Sequence, residues 1–362
     1  MIISLIVLHC LLILLGILPF IQNQHWVFRV PEFMKLQIFL LQILLILVSC
    51  FFFNESKTLW ILFSIQILLL GYHIFILMRY TKFWRTKPIA VGEGASNPVK
   101  IISCNVYQFN QEYQLLIDLI EREQPDILLT MESNGDWEKA LRAIEKDYPT
   151  YEKVTLENTY GMHFYTKLKV NFLKTHYFVA DDLPSIEAEL ETNDGHRFVL
   201  FGVHPPPPSP TEEETAKERD GDLLSVAKKV RDYKLPVVIT GDFNNVAWAK
   251  SSLLFKKTSR LIDARIGRGI LATFHAKYFF FRVPLDLLFH SADVFIDDLK
   301  IYPSVGSDHF PMGCTFHINL HNDAQEDEIK ELEKGEMKEV NKLIAEGKEE
   351  ESDNREAIVT EE

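Results

Sequence analysis

Beyond residue 98 the chain is a series of short apolar runs, and each major run begins or ends in a polar residue able to do chemistry. Asn105 ends Val99-Lys100-Ile101-Ile102-Ser103-Cys104-Asn105, and Glu132 ends Asp126-Ile127-Leu128-Leu129-Thr130-Met131-Glu132. His204 follows Phe198-Val199-Leu200-Phe201-Gly202-Val203. Pro236-Val237-Val238-Ile239-Thr240-Gly241 leads into Asp242-Phe243-Asn244, Asp286 opens Asp286-Leu287-Leu288-Phe289, and Ser307-Asp308-His309 closes the series. Continuous apolar runs of this length are the signature of strands buried on both faces. Polar groups at their ends gather oxygen ligands and two histidines at one end of a sheet stack. That is the composition of a site, since a core has no use for it.

The rest of that region alternates strand and helix. Helices are expected near Glu112–Arg122, Asp136–Lys146, Glu212–Asp232 and Ala247–Lys257. Strands are expected at Tyr151–Leu156, Gly161–Thr166, Lys169–Tyr177, Ser185–Glu191, His196–Val203, Leu285–Phe289, Asp293–Tyr302 and His309–Leu320. Asn193-Asp194-Gly195 is a hairpin turn, and Pro205 to Pro208 form a stiff loop that no ladder admits. Periodicity alone reads as α/β or α+β.

Three apolar stretches precede this region: Ile2–Ile21, Leu36–Phe53 and Thr58–Met78. Each approaches the roughly 20 residues a helix needs to cross a bilayer. The first lacks the basic start and small-residue cleavage site of a signal peptide, and two more follow it. The expected division is a membrane anchor over 1–85 with three transmembrane helices, a Gly-containing linker over 86–97, a catalytic domain over 98–320 and an acidic tail over 321–362. With three spans, the loop after the first helix shares a side with the domain. That side carries Arg29, Lys35, Arg79, Lys82, Arg85 and Lys87, against Lys57 and the terminal amine opposite. An excess of basic residues marks the cytoplasmic side, so the domain is expected there, and in a bacterium the membrane would be the inner one. Gln37, Gln42, Gln66 and His73 lie in or beside the spans and read as hydrogen bonds between helices, or side chains snorkelling to the surface, rather than a polar path.

The tail carries sixteen acidic and six basic residues, which accounts for most of the formal charge of −13. The remainder is close to neutral, and no Lys/Arg stripe marks a dedicated nucleic-acid footprint. Ile329, Leu332, Val340, Leu343 and Ile344 give the tail a ragged apolar stripe. It reads first as a solvated helix fading into disorder, and second as a helix that docks on a protein partner. The four cysteines form no CxxC pair, and Cys104 and Cys314 read as small buried residues.

Gly241-Asp242-Phe243-Asn244 after an apolar strand, Gly306-Ser307-Asp308-His309-Phe310-Pro311 near the domain's end, and Asn105, Glu132 and Asp286 in that order resemble the endonuclease/exonuclease/phosphatase family of metal-dependent phosphodiesterases. The resemblance spans roughly residues 98–320. It implies a four-layer sandwich, two packed mixed β-sheets flanked by helices. It also implies hydrolysis of a phosphodiester by direct attack of water, with Mg²⁺ or Mn²⁺. By that resemblance Glu132 is the principal metal ligand, Asp308 completes the shell, and Asn105 lies beside Glu132, either on the metal shell or on a phosphate oxygen. Asp242 would orient the attacking water, Asn244 would hold the phosphate, and His309, aligned by Asp286, would stabilise charge or move a proton. His204 would protonate the leaving oxygen. Tyr165, Arg219 and Thr273 fall near motif positions, whereas His163, His275 and His290 read as ordinary surface or core histidines.

Substrates compatible with this chemistry are nucleic acid and phospholipid head groups. The alternative is an inactive membrane module of the same fold that binds phosphate ligands or a protein partner. Where several nuclease members carry an acidic residue two after the first-strand Asn, this chain has Tyr107, which argues against strict two-metal chemistry and abasic-site repair.

Overall fold

The apolar runs do become buried strands, and two six-stranded mixed sheets result. The structure is a computed structural model that describes residues 1–84, 90–350 and 355–356. Arg85 and Lys87, part of the linker and the last stretches of the tail lie outside the described residues. The strands are β1 (Val99–Asn105), β2 (Ile127–Met131), β3 (Thr150–Val154), β4 (Met162–Thr166), β5 (Lys169–Tyr177), β6 (Pro184–Glu191), β7 (Arg197–Val203), β8 (Val237–Asp242), β9 (Ile262–Asp263), β10 (Asp286–His290), β11 (Val294–Ile301) and β12 (Met312–Ile318). One sheet runs β11-β12-β1-β2-β4-β3 and the other β5-β6-β7-β8-β10-β9.

The central pairs, β1 with β2 and β7 with β8, are parallel, and all their other neighbours are antiparallel. The parallel pairs therefore end side by side at one edge of the stack. Asn105, Glu132, His204 and Asp242 are the residues at those ends.

Between the sheets lies a core that includes Ile101, Leu129, Phe164, Phe198, Leu288 and Phe316. The outer face of the first sheet is covered by α5 (Tyr113–Glu123) and α6 (Gly135–Leu141), with Trp137 and Tyr148 buried there. The outer face of the second is covered by α7 (Lys217–Val230) and α8 (Lys250–Ser259). This is the expected four-layer sandwich. Cys104 joins the outer core and Cys314 the inner one, on opposite faces of the sheet, and both are free thiols.

α7 begins at Lys217, later than its sequence suggests. Residues 209–215 are held elsewhere: Ser209 N donates to Glu213 O, and Thr215 bridges His25. Gly241 stands where β8 crowds β7, and a Cβ there would lie 2.0 Å from Val203 O.

Ahead of the domain stand α1 (Ile2–Ile17), α2 (Trp26–Phe33), α3 (Lys35–Ser49) and α4 (Lys57–Met78). Ile2–Phe20, Lys35–Phe52 and Lys57–Met78 are long and apolar enough to cross a membrane. Leu5, Leu12, Ile38, Leu45 and Leu59 pack among them. His73 and Gln42 hydrogen-bond at 2.7 Å, and His9 and Ser49 at 2.9 Å, whereas buried Gln66 has no hydrogen-bond partner among the described residues and Gln37 reaches the domain at Phe280 O. The short helix α2 is an addition to the sequence reading. It fastens the bundle to the domain: Trp26 N donates to Glu214 O, Ala216 N to Gln24 O, and Trp248 Nε1 to Glu32 O.

The tail corrects the solvated-helix expectation. Its helix α9 (Glu336–Glu349) lies on α7 and α8, with Val340 buried. Gly221 and Gly347 meet at the crossing, where a Cβ on Gly347 would lie 2.7 Å from Lys217 O. Lys250 pairs with Glu339, Lys257 with Glu336 and Lys217 with Glu350. The apolar stripe and the acidic charge thus both find partners within the same chain.

Candidate active site

The edge where the parallel strands end collects every residue singled out for chemistry. Asn105 sits at its centre. Its Nδ2 donates to Glu132 Oε1 at 2.7 Å and to Asp242 Oδ2 at 3.1 Å, while its Oδ1 accepts from Tyr107 N at 3.0 Å. Asn105 therefore presents N–H, not oxygen, to the carboxylates. The second Glu132 oxygen accepts from Gln108 N at 3.1 Å.

Asp242 and Asp286 face each other directly across β8 and β10. Like charges in that register repel, and what compensates them is His309. Its Nδ1 lies 2.8 Å from Asp286 Oδ2 and its Nε2 lies 3.5 Å from Asp242 Oδ2. Ser307 Oγ, which donates to Asn105 O, accepts from His309 N and so fixes the loop against β1. Phe274 packs against the imidazole with ring centres 5.0 Å apart. His204 stands on the other side of Asp242, with its Nε2 at 3.9 Å from Oδ2.

Asn244 is tied to Asp242 by its own N–H, which donates to Oδ1 at 2.8 Å. Its Nδ2 donates to Pro205 O at 2.9 Å, and its carbonyl accepts from Arg219 Nη1 at 3.1 Å. Arg219 is itself held by Asp220 and acts on the site through that backbone carbonyl. Thr273 Oγ1 accepts from Asp286 N at 3.2 Å and plays a similar supporting part. Tyr107, Glu132 and Asn244 all have left-handed backbones, with φ of 57°, 58° and 45°. Such strain in non-glycine residues persists where surrounding structure enforces it, and it concentrates at functional sites.

Electrostatics follow from this packing. Burial and the nearby Asp308 push the Glu132 carboxyl up to about 8, against the opposing hydrogen bonds of Asn105 and Gln108. Burial likewise raises Asp242, with His309 acting the other way. On His309 burial opposes the charge, but Asp286 and Asp242 overcome it and hold the imidazolium up to about 10. His204 goes down to about 4, because burial outweighs the single carboxylate near it. One histidine is thus charged and the other neutral at the same edge. Environments that drive like groups apart in this way assign them different tasks.

Two neighbours were not evident in the sequence reading. Tyr160 packs against His204 with ring centres 5.5 Å apart and donates to Glu212 Oε2 at 2.7 Å. Burial pushes Glu212 up to about 7, and the charge of Asp242 adds to the rise. Tyr165, by contrast, pairs with Leu128 within the sheet and packs with Tyr148, away from the site. The signal for Tyr160 was the Tyr-Gly step before β4: a Cβ on Gly161 would strike Ser133 O at 2.1 Å, so the chain must pass close behind Glu132 there. His163 is buried beside Thr155, and His290 lies at the far end of β10 bonded to Ser291 O.

A hard divalent cation needs oxygen donors and uncompensated negative charge. Glu132, Asp308, Asp242 and Asp286 supply both: Glu132 is destabilised as an anion, and Asp286 Oδ1 is buried without a hydrogen-bond partner. These residues fit the group. They are not drawn together as a finished cage, and among the described residues no cluster of three or more His, Cys, Asp or Glu side chains is arranged to hold a metal.

Residues 102–309 match the Endonuclease/Exonuclease/phosphatase family over more than half of the chain. The chain belongs to that family. The fold agrees with solved structures of the same kind. D. rerio TDP2 complexed with a single-strand DNA product is 17% identical, covers 61% of this chain and 99% of its own, and gives a TM-score of 0.51. The human Nocturnin catalytic domain with bound sulfate is also 17% identical, over 61% of this chain and 95% of its own, at 0.51. A family protein from Bacteroides thetaiotaomicron is 17% identical, over 62% and 99%, at 0.50. At such identities the likeness is one of fold, here a phosphoesterase fold. Comparison with curated proteins finds no match for this sequence.

Proposed function

We propose that this family member is a membrane-anchored, divalent-metal-dependent phosphodiesterase, with an anchor over 1–85, a catalytic domain over 98–320 and the domain facing the cytoplasm. The observation that carries the reading is the convergence of Asn105, Glu132, His204, Asp242, Asn244, Asp286, Asp308 and His309 on one sheet edge, with charge compensation left incomplete. Three long apolar helices support the anchor. The attachment of α2 to the domain supports the two lying on one side of the bilayer.

Glu132 with Asp308 would hold Mg²⁺ or Mn²⁺, with Asn105 orienting Glu132 by its N–H; the cation, when bound, supplies Lewis-acid polarisation of the phosphoryl oxygen. Asp242, raised in basicity by burial, accepts a proton from the attacking water and aligns it. Asn244 holds a phosphate oxygen. His309, charged and clamped by Asp286, stabilises the negative charge that builds on the phosphorus centre. His204 lies beside Asp242 in neutral form, and a bound phosphate would favour its protonated state, so that it can donate to the leaving oxygen. D. rerio TDP2, similar in fold, is complexed with a single-strand DNA product, and the Nocturnin catalytic domain has a bound sulfate, which supports a phosphoester ligand for this chain.

The test uses the full chain in lipid nanodiscs with an aryl phosphodiester, with and without Mg²⁺ or Mn²⁺, beside Asp242→Asn and His309→Ala. Metal-dependent turnover lost in both variants is the expected result. A folded protein without turnover that still binds inorganic phosphate would favour an inactive phosphate-binding module instead.

A further inference from the structure

The segment that leads into β10 exposes four consecutive aromatic rings. Tyr278, Phe279, Phe280 and Phe281 are 60%, 69%, 80% and 58% exposed. Exposed large apolar side chains in a run mark a surface that expects company. The position of the run says which company. Gln37, the third residue of α3, donates through Nε2 to Phe280 O at 3.0 Å and to Arg282 O at 3.1 Å. The loop is thus pinned to the domain-side end of a helix long and apolar enough to span a bilayer. Just beyond α4, Phe83 is 90% exposed, and Arg79 O accepts from Gly267 N, upstream of the same loop. Lys277 and Arg282 flank the rings. Aromatic rings bordered by basic residues at a span's end have the composition of the membrane–water interface.

The other side of the loop touches the catalytic edge. Ala276 N donates to Asp308 O at 2.6 Å, and Phe274 packs on His309. The Arg282 guanidinium lies 4.8 Å from the centre of the Phe310 ring, and the Lys277 ammonium 5.5 Å from that of Tyr107. One short segment therefore contacts both the end of a span and the residues beside the reacting centre.

We propose that Tyr278–Phe281 inserts into the bilayer interface and that the site acts on a phosphoester carried by a lipid. This rests on the membrane-anchored phosphodiesterase reading and narrows its substrate. The continuity of the loop with α3 selects the bilayer over a second protein as occupant. An anionic leaflet at the rim repels a polyanionic nucleic acid, while a lipid head group is already there.

Two measurements on the full chain in nanodiscs decide it. The first compares Phe280→Trp with its parent in phosphatidylcholine and in brominated phosphatidylcholine. Insertion predicts that the added tryptophan emission falls about twofold in the brominated lipid; equal emission in both lipids overturns insertion whether or not the protein is catalytic. The second compares the parent with a Phe279→Ser/Phe280→Ser/Phe281→Ser variant on an aryl phosphodiester in solution and on phosphatidylglycerol, phosphatidylinositol, phosphatidylethanolamine and sphingomyelin in the disc. The expected result is a loss of about tenfold or more on the lipid substrate, with the soluble substrate changed less than about twofold. Turnover of the aryl substrate with none of the lipids, or lipid turnover indifferent to the three serines, overturns the lipid assignment. Absence of turnover on both kinds of substrate is failure of the phosphodiesterase reading itself, and the quenching result then stands alone.

Discussion

Glu123 and Glu132 lie on either side of β2, one at each edge of the sandwich, and the protein treats them in opposite ways. Lys100 Nζ donates to Glu123 Oε2 at 2.7 Å and Tyr302 adds a hydroxyl at 2.9 Å. These bonds, the Lys100 one foremost, bring Glu123 down to about 2. Glu132 is buried near Asp308 and goes up to about 8. At the closed edge Glu123 has been given partners, and at the open edge like charges have been crowded together and held by strained backbone. The difference separates stability from readiness to react: the second edge gives up folding free energy, which under the proposed function a bound cation and substrate would recover.

The largest consequence concerns activity. Asp242→Asn and His309→Ala are each expected to lower kcat/KM on an aryl phosphodiester by about 10³-fold or more while leaving the circular dichroism spectrum unchanged. A variant retaining a tenth of the parent rate would remove that residue from the mechanism. Asp286→Asn comes next, with kcat lower by about 10²-fold. Without that carboxylate His309 loses a proton more readily, so the alkaline limb of the rate profile should move to lower pH. An unmoved limb would detach Asp286 from the imidazole.

The third consequence is in stability. Glu132 has a folded pKa of about 8 against 4.5 unfolded. Its protonated form therefore contributes stability that is complete below pH 4.5 and lost as pH rises through 8. Glu132→Gln should raise Tm at pH 8 without metal by about 2–4 °C, and should abolish the Tm increase that Mn²⁺ gives the parent. A metal response retained by the Gln variant would place the ligand elsewhere.

At the opposite edge Glu123→Gln should lower stability by about 0.5–1 kcal/mol, the size of a partly exposed ion pair. Activity should stay within about twofold of the parent. The folded pKa lies below the unfolded 4.5, so this contribution is present above pH 4.5 and disappears as pH falls through about 2. Denaturant titrations at pH 7 and pH 2 give the comparison.

Strands were legible because their apolar runs are continuous and their ends are marked by residues that a core excludes. The candidate site was legible for the same reason, since parallel strands place consecutive run-ends on one edge. What escaped was whatever depends on contact between distant segments. α2 carries Arg29, Pro31 and Glu32 within eight residues, a poor helix pattern stabilised by its seat on the domain. The early residues of the expected Glu212 helix are captured by His25 and Pro208 instead. Tyr160 precedes β4 and Tyr165 lies within it, and only the sheet register tells which one reaches His204. The tail's charge reads as solvated until the lysines of α7 and α8 are seen opposite it.

The placement of β1 has a consequence for the order of assembly. It lies between β2 and β12, so the first strand of the domain is completed by the last. The helices α1, α3 and α4 leave the ribosome long before Met312–Ile318 exists, and local pairs such as β5 with β6 can form meanwhile. Until β12 emerges, β1 keeps one open edge. Distant pairing of this kind is slow and exposes strand edges to wrong partners. The reactive edge is therefore completed only once β12 has emerged, when α1, α3 and α4 already exist.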